Sequence, residues 1–192
     1  MIFERDTLSV DADTRLVPRH ASDAADIFAL VDANREALRE WLGWVDATRS
    51  VADVRRYAQY AEAQFDSRVS FDYAIRSRGI VAGAIGLHAL DWGNRCAQIG
   101  YWLAPEARGR GTMSRACAAL VTHAFRNLLL HRVEIRCAVD NGRSRAIPER
   151  LGFLLEGTLA GAHVLQGQFC DIALYAMTAP RWLSAAGAGR EP

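Results

Sequence analysis

The sequence predicts a single-domain α/β protein built on one mixed sheet, and three observations carry that reading. The chain has 192 residues, half of them hydrophobic, which is one domain's length with enough apolar material for a sizeable core. Strand-like apolar runs and helix-period segments follow one another in the order β-α-α-β-β-β-α-β-α-β-β. No internal repeat or interior linker divides them, so one domain over residues 1–183 is expected, with an irregular tail at 184–192.

Residues 1–12 read as a short strand or an arm, and Thr14 to Arg19 alternates as a first full strand. Ser22 is placed to cap a helix whose first turn holds Asp23 and Asp26, and Ile27, Leu30, Val31 and Leu38 recur at helical spacing. A tryptophan-containing segment, Trp41-Leu42-Gly43-Trp44, separates it from a second helix, capped by Ser50, from Val51 to about Phe65. Strands follow at Phe71–Arg76 and Ile80–Leu90 around the turn Ser77-Arg78-Gly79, then at Cys96–Leu103. A helix opens near Ser114 and ends near Asn127, Arg132–Val139 is the next strand, and Ser144 to about Arg150 is a short helix. In that helix Pro148 lacks an N–H and disfavours helical geometry at Ile147, which predicts a kink. Phe153–Val164 and Gln168–Met177 form a final hairpin around Gln166-Gly167.

Bulk properties exclude several functions. A formal net charge of +1 argues against a nucleic-acid binder that works by phosphate neutralisation. The acid-bearing start Met1-Ile2-Phe3-Glu4-Arg5-Asp6 does not read as a signal peptide, and no run approaches the roughly 18 apolar residues of a membrane span. Cys96, Cys117, Cys137 and Cys170 show no C-x-x-C spacing, so buried thiols in a reducing cytoplasm, with no metal, are expected. All 23 basic residues are arginine, so no lysine is available as a catalytic amine.

The most informative stretch is Arg108-Gly109-Arg110-Gly111-Thr112-Met113, set between a strand and a helix start. Helix N-termini leave unpaired N–H groups and partial positive charge, and an anion satisfies both. Glycines let a phosphate approach the backbone, and arginines grip it bidentately. A surface turn with two arginines would look similar, but a second motif lies about thirty residues on: a strand, the turn Asp140-Asn141-Gly142-Arg143-Ser144, a short helix and Leu151-Gly152-Phe153.

Together these motifs resemble the GCN5-related N-acetyltransferase (GNAT) superfamily, and within it the RimJ/RimL-type branch of protein N-terminal acetyltransferases. The family's pyrophosphate loop, Arg/Gln-x-x-Gly-x-Gly/Ala, matches Arg108-x-x-Gly111-x-Met113, with Met in place of the usual small residue. Ile99-Gly100-Tyr101-Trp102-Leu103, Asn141-x-x-Ser144, Leu151-Gly152-Phe153 and the Trp41–Trp44 segment also match, so the resemblance runs from about Thr14 to Thr178. It implies that the fourth and fifth strands, Cys96–Leu103 and Arg132–Val139, are parallel and splay apart, flanked by helices. It implies acetyl-CoA as co-substrate, with the pantetheine arm on the backbone of Tyr101, Trp102 and Leu103. The phosphates would lie on Arg108, Gly109, Arg110, Gly111, Thr112 and Met113, and Asn141 would bond the cofactor. A homodimer is also implied.

Acetyl transfer to an amine requires that the ammonium lose a proton, and it benefits when the departing thiolate receives one. An N-terminal amine, with a pKa of about 8 against about 10.4 for lysine, needs only a weak base. Ser144 matches the family serine near the thioester sulfur; as plain sequence it could equally cap its helix. Many relatives carry a glutamate where this chain has Gln98, which accepts no proton at neutral pH. Glu134 on the fifth strand and His88 at the end of the third are alternatives, each with a structural reading beside it, as is a water chain ending at Gln98. By resemblance Trp41 and Trp44 wall the acceptor pocket, with packing favoured for Trp41 and a peptide-pocket role for Trp44; Trp92 and Gln98 are further acceptor-side candidates, with rim or core packing the other reading of Trp92. The hairpin from Leu165 to Asp171 borders the other side, where Asp171 could attract a cationic amine or pair with an arginine.

The leading expectation is therefore an acetyltransferase acting on a protein N-terminal α-amine of the ribosomal-protein-serine type. A small-amine acetyltransferase for polyamines or aminoglycosides, and a non-catalytic acyl-CoA-binding module, are the alternatives. A cleft lined by several acids would favour the polyamine reading.

Overall fold

A computed structural model of the chain describes residues 6–187; positions 1–5 of the expected arm and 188–192 of the expected tail lie outside the described residues. In chain order the elements are β1 (Leu8–Ser9), β2 (Thr14–Pro18), α1 (Ala24–Ala33), α2 (Arg35–Arg39), α3 (Val51–Asp66), β3 (Phe71–Ser77), β4 (Ile80–Asp91), β5 (Cys96–Leu103), α4 (Thr112–Arg126), β6 (Arg132–Ala138), α5 (Gly142–Arg150), β7 (Leu154–Leu165), β8 (Gln168–Thr178) and α6 (Ala179–Gly187). Short 3-10 turns precede α1, α3 and α4.

The strands form one eight-stranded sheet in the order β1-β2-β3-β4-β5-β6-β8-β7. Every neighbouring pair is antiparallel except β5–β6. That parallel pair runs from Cys96↔Arg132 to Ile99↔Ile135 and stops, although β5 continues to Leu103 and β6 to Ala138. Beyond Ile99 and Ile135 the two strands diverge, as the resemblance implied.

Strand alternation assigns β5 side chains to two faces. Ile99 and Leu103 join the core that includes Met113, Cys117, Leu120 and Val121 of α4, with Tyr101 packed against it. Trp102 joins a second core with Ala24, Ile27 and Val31 of α1, Leu38 of α2 and Val54 of α3. Helices α1–α3 thus lie over one face of the sheet and α4 over the other. β3 packs on both faces, so Phe71, Tyr73, Ala74 and Ile75 are all buried in a nearly continuous apolar run.

Several local expectations are corrected. The first helical segment begins not at a Ser22 cap but at His20, whose Nδ1 accepts from the Ser22 amide at 3.1 Å and which shares a capping box with Asp23. The helix expected to run through Leu38 breaks at Asn34, whose side-chain amide donates to the Leu30 carbonyl at 3.0 Å. Short polar side chains compete with the helical ladder in this way. Ser50 does cap α3, accepting from the Asp53 amide at 3.3 Å. The start of the expected tail, 184–187, belongs to α6, which docks on α4 through Trp182 Nε1 donating to Thr122 Oγ1 at 3.1 Å.

Candidate active site

The divergence of β5 and β6 opens a cleft of about 1440 Å³ that passes through the sheet. On the α4–α5 side it is lined by Tyr101, Leu103, Thr112, Met113, Cys137, Ser144 and Ile147. On the α1–α2 side it is lined by Leu38, Glu40, Trp41, Leu42, Gln98, Gly100, Trp102 and Arg136. Leu159, Ala162, His163 and Leu165 of β7 form a further wall. At the tip of the β7–β8 hairpin, Gln166 Nε2 reaches the Arg39 carbonyl at 3.4 Å, spanning from that wall to the end of α2.

The glycine-arginine loop has the geometry of an anion cradle. Gly109 and Gly111 both sit in the left-handed region, at φ +77° and +71°, where a side chain is strained. Gly111 is the N-cap of α4, and no side chain caps that helix, so the amides of its first turn face the cleft mouth without a side-chain acceptor. Arg108 Nε donates to the Leu103 carbonyl at 3.1 Å, which fixes its guanidinium at the strand end. Burial first, and then the neighbouring Arg143 charge, push the Arg108 pKa below its ordinary value. Two guanidiniums held near each other beside uncapped amides suit a pyrophosphate, so these residues fit the phosphate end of acetyl-CoA. Arg110 lies outside the cleft lining; its carbonyl accepts from Arg115 at 2.9 Å, and Arg115 Nε in turn bonds Asp11 at 2.7 Å, anchoring the loop. Met113 is buried in the α4 core, so the departure from a small residue leaves the loop backbone accessible. Arg143 and Arg150, which the loop motif does not include, also line the cleft.

Behind the cradle, α5 presents Ser144. Asn141, not Ser144, caps this helix: Asn141 Oδ1 accepts from the Ser144 amide at 3.0 Å. The serine hydroxyl is therefore left for other work and lies 3.1 Å from the Tyr101 phenol. Pro148 stands inside a continuous helix, with backbone bonds Arg145 N–H to Asn141 and Leu151 N–H to Ile147 on either side of it.

On the opposite side, His88 and Gln98 are cross-strand partners in the β4–β5 pairing, and Gln98 in turn pairs with Glu134. Gln98 lines the cleft; His88 sits beside it, its ring over Gly100, where an added Cβ would come within 3.3 Å of His88 Cδ2. His88 is followed by Ala89 at φ +48° and by a register shift, a bulge that re-aims the strand. His88 Nε2 is 3.8 Å from Asp72 Oδ1, and the buried Asp72 carboxylate also accepts from Ser70 Oγ at 3.3 Å and Tyr57 Oη at 3.4 Å. Glu134 faces the same side, but both its oxygens are engaged: Oε1 by Arg132 Nε at 3.0 Å and Oε2 by Arg136 Nη2 at 2.9 Å.

Three expected pocket residues are placed elsewhere. Trp44 does not line the cleft and instead packs on Trp102, with ring centroids 5.9 Å apart, while Trp41, expected to pack, is in the lining. Trp92 donates to the Arg68 carbonyl at 2.9 Å and packs edge-on against Phe71, tying the β4–β5 turn to the end of α3. Asp171 accepts from the Gly161 amide at 2.8 Å and pins the β7 irregularity rather than entering the cleft. Asp72 went unnoticed because one aspartate in an apolar strand carries no motif; its only signal is a charge where β3 otherwise reads as core. Among the described residues no group of three or more histidines, cysteines or carboxylates is arranged to hold a metal, and no helix is long and apolar enough to cross a membrane.

Comparison with known proteins supplies the context. Residues 14–154 match the family model described as the acetyltransferase (GNAT) domain. The putative ribosomal N-acetyltransferase YdaF of Bacillus subtilis is 37% identical over 169 residues, spanning 83% of this chain and 88% of that protein. The ribosomal-protein-serine acetyltransferase of Escherichia coli is 29% identical over 171 residues, spanning 89% of this chain and 96% of its own length. The solved structure of RimL, a ribosomal L7/L12 α-N-protein acetyltransferase in complex with coenzyme A, superimposes with a TM-score of 0.87 at 30% identity, covering 90% of this chain and 98% of RimL.

Proposed function

Since the chain belongs to the GNAT acetyltransferase family and is an acetyl-CoA-dependent N-acetyltransferase, we propose that its acceptor is the α-amine of a protein N-terminus, of the ribosomal-protein-serine type. The observation that carries this choice is the charge of the cleft. Among the described residues its lining holds one carboxylate, Glu40, against four arginines, Arg108, Arg136, Arg143 and Arg150. A polyamine or aminoglycoside needs several acids around its charges, whereas a single α-amine on a peptide needs one weak attraction and a way to lose a proton. An acceptor of this kind places the enzyme in the cytoplasm.

In this reading the amine enters on the α1–α3 side and the sulfur leaves toward α5. His88, through one water, takes the proton that the attacking nitrogen loses, with the Asp72 carboxylate 3.8 Å from its Nε2. Glu134 is not the base, because two arginines hold both of its oxygens. The amine lone pair attacks the thioester carbonyl carbon, the carbon–sulfur bond breaks, and the Ser144 hydroxyl hydrogen-bonds the departing thiolate, which takes its proton from water. The phosphates rest on the Arg108–Met113 loop.

The protein acts as a homodimer through β7, the edge strand at the opposite end of the sheet from β1. Its outer edge has no strand partner among the described residues, and Leu154, Leu155, Val164 and Phe169 are exposed along this hairpin. Sedimentation at the dimer mass is the expected result, and a monomer at micromolar concentration overturns it.

The acceptor is tested by adding the purified protein and heavy-labelled acetyl-CoA to a lysate of its source and reading labelled products by mass spectrometry. Label on one or a few protein N-termini is expected. Label confined to small molecules overturns the peptide acceptor.

A further inference from the structure

In an α-helix the amide of each residue donates to the carbonyl four positions earlier. At position 148 that carbonyl belongs to Ser144, and Pro148 has no N–H to give it. A carbonyl orphaned in this way is costly when shielded from water. Here it is not orphaned: the Tyr101 phenol, reaching from β5, donates to the Ser144 carbonyl at 3.0 Å. The same phenol oxygen lies 3.1 Å from Ser144 Oγ. A phenol has one proton, and a carbonyl can only accept. The Tyr101 proton is thus committed to the carbonyl, and in the second contact the serine hydroxyl is the donor. Burial pushes the Tyr101 pKa well above its ordinary value, so the phenol keeps that proton throughout the working range of pH.

We propose that Pro148 and Tyr101 are two halves of one positioning device, in which the proline frees the Ser144 carbonyl and the tyrosine uses it to hold the serine against the diverging strand. The proposal rests on Ser144 being the group that meets the departing sulfur. Tyr101 grips both the main chain and the side chain of Ser144, so the hydroxyl is held at a fixed height above β5, the strand whose unpaired half lines the cleft. As the sulfur departs, the hydroxyl swings its hydrogen bond from the phenol to the developing thiolate while keeping its proton, and the carbonyl bond keeps the serine in place. The far face of α5 is fixed separately: Arg145 Nε donates to Tyr175 Oη at 3.0 Å, and Tyr175 donates to Glu149. The proline thus disturbs a single carbonyl in a helix otherwise well held, and that carbonyl is the serine's own. Tyr101 is a positioning residue; it acts through Ser144.

The test is a four-member set in the full chain: wild type, Tyr101→Phe, Pro148→Ala and the double variant, with Pro148→Leu as a second way to restore the N–H. Turnover and acetyl-CoA affinity are measured for each, with circular dichroism to verify folding. Tyr101→Phe alone is expected to lower kcat about tenfold with affinity changed less than about twofold, because it strands the carbonyl and frees the serine. In the Pro148→Ala or Pro148→Leu background a backbone N–H reclaims the Ser144 carbonyl, and the same Tyr101→Phe change is expected to lower kcat no more than about threefold. Equal losses in both backgrounds overturn the device. Ser144→Ala, measured alongside, separates the two ideas. If it lowers kcat while the Tyr101→Phe penalties stay equal, the device fails and the serine's role stands. If kcat is unchanged in Ser144→Ala, the serine's role itself fails.

Discussion

The two sides of the β5–β6 divergence are built differently. On the α4–α5 side, the working groups come from two short contiguous segments, Arg108–Met113 and Asn141–Ser144, each at the start of a helix. Their geometry is set locally, by left-handed glycines, an uncapped N-terminus and an asparagine cap. On the α1–α3 side, the working groups come one at a time from distant elements: Trp41 after α2, Asp72 on β3, His88 on β4 and Gln98 on β5. There only the assembled sheet brings them together, through cross-strand register and a bulge at Ala89. In the proposed reading, the co-substrate side is thus encoded in motifs and the acceptor side in tertiary structure.

This contrast is broken most directly on the motif side. Ser144→Ala is expected to lower kcat by roughly a hundredfold, the scale of losing one donor to a developing negative charge, while acetyl-CoA binding by calorimetry stays near wild type. A parallel loss of affinity would mean that the serine supports the cradle rather than the chemistry. Gly111→Val addresses the cradle itself. At φ +71° a β-branched residue is strained, and the new Cβ would lie 2.9 Å from Arg115 Nη1, the group that also bonds the Arg110 carbonyl. Acetyl-CoA affinity is expected to fall by tenfold or more, on the order of the left-handed penalty for a side chain. Unchanged affinity would remove the loop from the phosphate site.

How much of this could be read beforehand follows the same division. The β5 bounds, the loop and the final hairpin are legible in the sequence because apolar runs end in turn residues of known chemistry. The break at Asn34 is not legible, because it depends on one side chain preferring the Leu30 carbonyl to continuing the helix. Nor is the fate of the carbonyl that Pro148 leaves without an N–H legible: its partner is Tyr101, 47 positions before the proline. The resemblance brings Trp44 and Asp171 to the acceptor side, but Trp44 is drawn onto Trp102 by ring packing and Asp171 onto the Gly161 amide. Asp72 escapes notice for the converse reason: nothing adjacent to it marks its meeting with His88 from the next strand.

The acceptor side yields to smaller perturbations, because its parts act partly through one another. His88→Gln is expected to lower kcat/KM about tenfold, with acetyl-CoA affinity unchanged. Asp72→Asn keeps the shape but removes the charge 3.8 Å from His88 Nε2. A loss of about threefold in kcat/KM is expected. Wild-type kcat/KM in His88→Gln would assign the proton to water and Gln98 instead.

The two tryptophans give the finest test of the comparison, because sequence position alone assigns them the opposite way. Trp41 lines the cleft, while Trp44 is on the outside of the α1–α3 face, 39% exposed and tilted against Trp102. Trp41→Ala should therefore raise the KM for an acceptor peptide a few-fold, with little change in melting temperature, since it removes contact surface from a half-buried wall. Trp44→Ala should do the reverse, lowering stability by about 1 kcal/mol, the usual worth of an aromatic pair, while acceptor KM changes less than about twofold. Both effects are small, so the crossed pattern is what matters. If Trp44→Ala raises acceptor KM more than Trp41→Ala does, the acceptor path runs over the outer face of Trp102 instead of along the lining beside Glu40 and Gln98.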